Sequence, residues 1–230
     1  IGGAAASSAA TGETPAQAGY YASIGGAAAS SAATGETPAQ AGQYACVADD
    51  SDGTGVNTAA DNECPCPAGY YSGAAGATAC TQASASYYAC IGADTDGEGV
   101  ESGADAECAC PEGYFSVAGA SVCTQPVAGY YACLAGDSDG TGESSGANAA
   151  CPCPSGWYSG VAGVTACNQV LAGTYACDSS SIGVNTAATA ECPCPAGYYS
   201  GAAGATACVA AQTGYYASIG GAAVSSAATG

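Results

Sequence analysis

Cysteine thiols and carboxylates are the side chains of this sequence whose types and spacing could do chemistry. The 230 residues include 16 Cys and 19 Asp or Glu, but no Lys, Arg or His. Without His or Lys, neither a Ser-His-Asp or Cys-His arrangement nor a Schiff-base lysine can be built, so we do not expect an enzyme. Thiols can instead form disulfides or bind a soft metal, and paired carboxylates can bind a hard cation.

The cysteines favour disulfides over metal binding. They are even in number, and all lie between Cys46 and Cys208 at the density of a disulfide scaffold. A mixed Cys/His zinc site cannot form, and the C-x-C spacing of this sequence differs from the usual C-x₂₋₄-C. Oxidised cysteines predict a secreted or cell-surface protein outside the cytosol.

The cysteines also define four repeated modules, which open at Cys46, Cys90, Cys133 and Cys177. Each module has four Cys, and its second and third Cys form a C-x-C pair. An extended chain sends these two sulfurs to opposite sides, so they should not bond to each other. Pairing of the first with the second and the third with the fourth would close loops of about 15–19 residues, each worth about 3 kcal/mol. Four Cys allow three pairings, and the sequence leaves the connectivity open. The sixteen disulfide candidates are Cys46, Cys64, Cys66, Cys80, Cys90, Cys108, Cys110, Cys123, Cys133, Cys151, Cys153, Cys167, Cys177, Cys192, Cys194 and Cys208.

A second repeat type is free of cysteine. Residues 1–23 recur at 24–46 with two changes, and residues 219–230 match 1–12 at all but one position. Either similar pieces flank the Cys modules, or the sequence is a window of a longer head-to-tail repeat, which we favour. The match predicts polymerisation, through covalent continuation or through a terminal segment that completes a neighbour's strands. The predicted division is 1–45 (Cys-free), 46–89, 90–132, 133–176 and 177–208 (Cys modules), and 209–230 (Cys-free).

The elements that position these groups are predicted to be short β-hairpins. Gly-Tyr-Tyr motifs recur throughout, for example at 19–23, 69–72 and 214–218, and each suits a strand of three to five residues bounded by Gly or Pro. Gly and Ser interrupt the Ala runs, so little or no helix is expected. The predicted fold is a small disulfide-rich β protein, an elongated tandem-repeat rod of hairpins in which each packs on its neighbours. The 16 Tyr should form the module cores, rather than carbohydrate-binding platforms.

The run C-P-A-G-Y-Y-S-G-A-A-G-A-T-A-C at Cys66–Cys80 resembles the ephrin-receptor-like cysteine-rich repeats, which also occur in ciliate surface antigens. Cys110–Cys123, Cys153–Cys167 and Cys194–Cys208 are its other copies, and together they cover about a quarter of the chain. The resemblance implies an extracellular, disulfide-linked stack of modules without catalytic residues. In overall character the sequence is also similar to the protein cores of extracellular glycoprotein fibrils.

The acidic residues are concentrated in one loop type. Sixteen of the 19 lie between the first and second Cys of a module. There the motif D-x-D-G recurs in three modules, and its oxygens and tight turn suit Ca²⁺. The alternative is a solvated acidic turn, which we favour because Asp and Gly are common turn residues and no bidentate Glu follows at the EF-hand spacing. The calcium candidates are Asp50, Asp52, Asp94, Asp96, Asp137 and Asp139.

Clustered hydroxyls in the Cys-free repeats predict O-glycosylation. The alternative is that Ser and Thr are only small polar filler, but an exposed Ala-rich surface favours glycans. Thr14 and Thr37, each followed by Pro, are the sharpest candidates. The full set is Ser7, Ser8, Thr11, Thr14, Ser30, Ser31, Thr34, Thr37, Ser225, Ser226 and Thr229.

Together these features predict the structural subunit of an extracellular, O-glycosylated filament of head-to-tail repeats. Its partners would be further copies of itself and covalent glycans. The net charge of −19 argues against nucleic-acid binding, and no apolar run near 20 residues predicts a membrane span. Beyond the calcium candidates, no cofactor is expected. The alternative function is a cysteine-rich surface antigen or coat protein of a protist.

Overall fold

The computed structural model describes residues 13–219 apart from 25, 30, 32, 48 and 49, together with 222, 223, 226 and 229. This part of the chain contains no helix, and its strands are two to five residues long. Gly or Pro lies at one end of many of these strands, as Gly19 before Tyr20 and Pro65 after Cys64, and helps to keep them short. In chain order the strands are β1 (Tyr20–Ile24), β2 (Ala27–Ala28), β3 (Gly35–Pro38), β4 (Gln43–Cys46), β5 (Asn62–Pro65), β6 (Tyr70–Tyr71), β7 (Thr81–Gln82), β8 (Tyr87–Cys90), β9 (Ala106–Ala109), β10 (Tyr130–Cys133), β11 (Ala149–Pro152), β12 (Trp157–Tyr158), β13 (Asn168–Gln169), β14 (Thr174–Cys177), β15 (Ala190–Pro193), β16 (Tyr198–Tyr199), β17 (Val209–Ala210), β18 (Ser218–Ile219) and β19 (Ala222–Ala223).

Each Cys module contains two hairpins. The long hairpin has four-residue antiparallel strands, as in β4–β5, β8–β9, β10–β11 and β14–β15. All four share one register, in which a Tyr of the first strand lies opposite the second Cys of the module, as Tyr131 lies opposite Cys151. The short hairpin follows and has two-residue strands in β6–β7, β12–β13 and β16–β17. The prediction of a small disulfide-rich β fold made of short hairpins is therefore confirmed.

All sixteen cysteines form disulfides within their own module. The first Cys bonds to the second across the long hairpin, and the third bonds to the fourth around the short hairpin. This is one of the three pairings that the sequence left open. The bridges are Cys46–Cys64, Cys66–Cys80, Cys90–Cys108, Cys110–Cys123, Cys133–Cys151, Cys153–Cys167, Cys177–Cys192 and Cys194–Cys208.

In the second and third modules the core consists of one Tyr ring surrounded by sulfur. In the third module, fully buried Tyr131 packs with all four half-cystines, and Trp157 lies against this cluster. Tyr88 forms the equivalent cluster in the second module. Other tyrosines, such as Tyr87 and Tyr198, lie at the surface. The predicted aromatic core therefore rests on one particular Tyr of the long hairpin.

The chain divides into two compact units that do not follow the module boundaries. The first comprises the described residues up to Pro67, together with Tyr71–Thr81 and Ser102–Asp105. It contains β1 to β5. The second comprises Ala68–Tyr70, Gln82–Glu101 and the described residues from Ala106 onwards, and it contains the hairpins of the later modules.

Two motif copies differ from the predicted strands. In the second module the motif at 113–116 has isolated bridges in place of a two-residue strand: Phe115 pairs antiparallel with Thr124 and parallel with Ala147. The loop between the third and fourth Cys is one residue shorter there than in the other modules. At 214–218 only Ser218 belongs to a strand. Ser218 pairs there with Ala223 in β18–β19.

Candidate functional site

Successive hairpins are joined by one repeated set of backbone hydrogen bonds, which we call the inter-hairpin ladder. In the first three modules, the Ser that ends the short-hairpin motif donates its N–H to an Ala carbonyl of the following long hairpin. The N···O distances are 3.1 Å for Ser72 and Ala104, 3.2 Å for Ser116 and Ala147, and 3.0 Å for Ser159 and Ala188. A parallel bridge accompanies each bond, as between Tyr158 and Ala188.

The carbonyl oxygen of the same Ser accepts a second hydrogen bond, which comes from a different hairpin. It accepts an N–H from the long hairpin of its own module, at 3.0 Å from Ser86 to Ser116 and 2.8 Å from Gly129 to Ser159. These serines are buried, and the Ser159 hydroxyl donates to the Val161 carbonyl at 2.8 Å. Ser116 and Ser159 therefore each bond to two long hairpins, that of their own module and that of the next module.

The Cys-free hairpin β1–β3 makes the same ladder contacts as a short hairpin. Ala22 donates to the Ala60 carbonyl at 2.8 Å, and Ala59 donates to the Ala16 carbonyl at 2.9 Å. Tyr21 forms the parallel bridge with Ala60. The two repeat types of the sequence are thus structurally interchangeable as neighbours of a long hairpin.

Within the Cys-free hairpin, two hydroxyls lie where a long hairpin has its disulfide. Pairing of Tyr21 with Thr37 in β1–β3 matches the pairing of Tyr44 with Cys64 in β4–β5. Ser23 and Thr37 therefore occupy the positions of the first and second Cys, and their hydroxyl oxygens are 2.7 Å apart. Sequence reasoning missed this equivalence, although Glu-Thr-Pro at 36–38 and Glu-Cys-Pro at 63–65 signal it.

The D-x-D-G motifs form hydrogen-bonded turns. Asp50 Oδ1 accepts the Asp52 N–H at 3.2 Å, and Asp52 Oδ1 accepts both the N–H and the hydroxyl of Thr54 at 2.7 and 2.6 Å. These bonds, the hydroxyl's first, lower the pKa of the Asp52 carboxyl, because they favour its charged form. Asp137, Asp139 and Thr141 repeat the arrangement.

Each of these turns is tied to the core of its module. The N–H of the Gly that ends the motif donates to the hydroxyl of the buried Tyr, at 3.2 Å from Gly53 to Tyr44 and at 3.1 Å from Gly97 to Tyr88. Burial is the main cause that raises the pKa of these Tyr hydroxyls. Among the described residues, no three His, Cys, Asp or Glu side chains form a metal-binding group. Calcium binding by the six aspartates stays a prediction.

The predicted glycan acceptors differ in their surroundings. Ser31, Thr34 and Ser226 are exposed in loops, and Thr14 is exposed near the start of the described chain. Thr37 is half-buried and bonded to Ser23, and Thr229 donates its N–H to the Ser218 carbonyl. Ser7, Ser8, Thr11, Ser30 and Ser225 lie outside the described residues.

The eight disulfides in repeated hairpins identify a cysteine-rich protein of an oxidising environment, outside the cell or in the secretory route. In the part of the chain that the structure describes, no helix has the length and apolar character needed to cross a bilayer. The chain matches no known protein-family model, and no curated protein is similar to it.

Proposed function

We propose that this chain is a structural subunit of an extracellular filament built from head-to-tail copies. The observation that carries the proposal is the inter-hairpin ladder, which repeats from one module to the next with the same donors and acceptors. The contact set is head to tail, because each Ser donates to the following long hairpin and accepts from the long hairpin of its own module, and a head-to-tail contact can be repeated by further hairpins.

Disulfides would stabilise the fold of each module in the filament. The sequence holds only five Ile and two Leu, too few for an aliphatic core. Each bridge closes a loop of 13 to 18 residues, and a closed loop of about 15 residues removes about 3 kcal/mol of unfolded-state entropy. Such a fold would be held together locally, module by module, which suits a thin assembly under tension.

The surface of the filament would carry O-glycans on loop hydroxyls. Exposed Ser31, Thr34 and Ser226 are the best acceptors, because glycosylation there leaves every described strand contact intact. Thr37 is a poor acceptor, since its hydroxyl already bonds to Ser23 inside the hairpin. The resemblance to ephrin-receptor-like repeats supports an extracellular role. The absence of Lys, Arg and His supports a non-catalytic one that binds no nucleic acid.

Negative-stain imaging of the secreted, oxidised protein tests the proposal. We expect long thin filaments, and an intact mass above the 21.4 kDa of the polypeptide that falls to it after chemical removal of O-glycans. Discrete particles at every concentration would overturn the filament and favour a surface antigen. An intact mass equal to that of the polypeptide would overturn the glycan assignment.

A further inference from the structure

The fourth module lacks the acidic turn that covers the Tyr of the long hairpin in the other three modules. Its first disulfide, Cys177–Cys192, spans 15 residues of sequence, against 18 in each earlier module. Residues 178–182 hold no D-x-D-G motif. The Asp178 carboxylate instead accepts the N–H groups of Ser180 and Ile182, at 2.8 and 2.9 Å. A shorter turn with a different set of hydrogen bonds therefore follows the first Cys of this module.

In the first three modules, the Gly of the acidic turn makes two hydrogen bonds to the core. In the third module, the Gly140 N–H donates to the Tyr131 hydroxyl at 3.2 Å, and the Gly140 carbonyl accepts the Cys167 N–H at 2.9 Å. The first two modules repeat both bonds. The same Gly lies against a proline, because a Cβ added to Gly140 would be 3.1 Å from Pro154. This Gly therefore fills a place bounded by Tyr, Pro and Cys.

The corresponding place in the fourth module is a cleft of about 220 Å³. It is lined by Tyr175, Pro195 and Cys208, the counterparts of the Tyr, Pro and Cys that contact the Gly, and by Tyr198. Tyr175 is only half-buried, whereas the equivalent Tyr of each other module is fully buried. Tyr198 is 43% exposed. The shorter turn thus opens two aromatic rings to a ligand.

The cleft also presents one hydrogen-bond acceptor and one donor. The Tyr175 hydroxyl donates to the Ser181 carbonyl at 2.9 Å, so its oxygen can still accept a bond. Among the described residues, no backbone carbonyl accepts the Cys208 N–H, which corresponds to the Cys167 N–H. A ligand that supplies an N–H and an oxygen at the positions of the Gly N–H and carbonyl would satisfy both groups.

A 2-acetamido sugar has this arrangement of atoms. The Gly N–H and carbonyl oxygen are joined through two carbon atoms, in the order N–Cα–C–O. In the sugar, the acetamido N–H on C2 and the hydroxyl oxygen on C3 are joined in the same way. The sugar ring also has an apolar C–H face that can pack on the exposed ring of Tyr198.

Charge and size favour a sugar over a peptide with the sequence of the missing turn. None of the residues that line the cleft is charged, and the net charge of −19 disfavours a ligand with two carboxylates. The volume is below the roughly 300–1,000 Å³ of sites for drug-sized ligands, which suits a single sugar ring. We propose that this cleft binds one 2-acetamido sugar residue, whose N–H donates to the Tyr175 hydroxyl and whose C3 oxygen accepts the Cys208 N–H. This site does not depend on the proposed filament.

An NMR titration of the isotope-labelled, oxidised protein with the methyl glycoside of N-acetylglucosamine tests the site. We expect a saturable shift of the Cys208 amide signal at millimolar sugar. The 2-deoxy analogue, which lacks the acetamido group, should bind about tenfold more weakly, the effect of one lost hydrogen bond. Tyr175→Phe should weaken sugar binding by a similar factor, because it keeps the ring and removes the acceptor. Tyr87→Phe changes an exposed Tyr outside the cleft and should bind the sugar as the wild type does.

A loop exchange gives a second test. Replacement of residues 178–182 by residues 47–54 would restore the acidic turn, so the sugar-dependent shift should disappear. Sugar binding that survives this exchange, equal binding of the 2-deoxy analogue, or no shift at any sugar concentration would overturn the proposal. Tighter binding of an acetylated Asp-Ser-Asp-Gly-Thr peptide than of the sugar would overturn it in favour of a peptide ligand. Each of these results leaves the filament, which is tested by imaging, unaffected.

Discussion

Ser23 Oγ and Thr37 Oγ1 are 2.7 Å apart, in the positions that the two half-cystines occupy in the next hairpin of the chain. The register of the two hairpins is the same residue by residue. One hairpin geometry therefore accepts either a hydrogen bond or a covalent bridge at this place. The geometry of a single hairpin therefore does not require a disulfide. Its stability should still be higher where a disulfide replaces the hydrogen bond.

The double variant Ser23→Cys/Thr37→Cys should form a ninth disulfide in the Cys-free hairpin. The bridge would close a loop of about 15 residues, so we expect the free energy of unfolding of this hairpin to rise by about 3 kcal/mol. An intact mass 2 Da below that of the reduced variant, about one hydrogen per sulfur, and hydrogen exchange at β1 measure the two effects. Two free thiols after oxidation would contradict the shared geometry, and Ser23→Cys alone is the control.

Removing the buried hydroxyl of Tyr131 should destabilise the third module. Tyr131→Phe leaves the buried Gly140 N–H without its acceptor at 3.2 Å, which costs about 1–3 kcal/mol. Tyr175→Phe is the matched control, because the Tyr175 hydroxyl donates to an exposed Ser181 carbonyl and its loss should cost about 0.5 kcal/mol or less. Urea unfolding followed by Trp157 fluorescence measures both. Equal losses would contradict the role of the Tyr131–Gly140 bond.

Stability should fall at alkaline pH. Burial, as the largest cause, raises the pKa of Tyr44, Tyr88 and Tyr131 above the ordinary value of 10.0. Above pH 10 the unfolded chain loses these protons while the folded chain keeps them. The stabilisation that these three protonated hydroxyls contribute to the folded state is therefore complete below pH 10. It is lost as the pH rises through their pKa in the folded state.

Urea unfolding between pH 8 and 12 and tyrosinate absorbance at 295 nm follow this loss. The absorbance should show a late phase that shrinks in Tyr131→Phe. Constant stability across this range would show that the rings are not protected in the folded state.

Much of the fold could be predicted from residue types, because the Cys and aromatic residues mark the positions of the hairpins in the sequence. The spacing of Cys133, Cys151, Cys153 and Cys167 and the Gly-Tyr-Tyr motifs predicted short hairpins. The inter-hairpin ladder could not be predicted, since Ser159 acts there through its backbone N–H and carbonyl, which every residue has.

The candidate sites were predicted less well than the fold. Asp52 was considered as a calcium ligand on its residue type, but the sequence does not show that Thr54 hydrogen-bonds its Oδ1. Thr37 was chosen as a glycan acceptor on its neighbour Pro38. Its bond to Ser23 depends on strand register, which the sequence specifies only after the two hairpins are aligned.

Substitutions at Asp139 separate a turn from a calcium site. Asp139 Oδ1 accepts both the Thr141 N–H at 2.7 Å and its hydroxyl at 2.6 Å, and an amide oxygen can do the same. We therefore expect Asp139→Asn to melt close to the wild type and Asp139→Ala to melt lower, with or without calcium. A melting temperature that rises with millimolar calcium in the wild type but not in Asp139→Asn would show a metal site instead.

Gly55 lies where the long hairpin, the acidic loop and the short-hairpin loop come together, and an added side chain should separate them. A Cβ at Gly55 would overlap the Ala45 carbonyl oxygen and lie 2.6 Å from the Thr78 oxygen. Both are backbone groups in hydrogen bonds, to Val56 and to Gly55 itself, so neither can move freely.

Gly55→Ala should therefore cost about 1–3 kcal/mol by overpacking, measured by urea unfolding. Gly35→Ala is the matched control, because a Cβ there meets nothing within 4 Å and neither Gly has a left-handed φ. Gly99 and Gly142 meet the same carbonyl contact in their own modules, so their Ala variants should lose similar stability. Equal stability of Gly55→Ala and Gly35→Ala would contradict this close packing.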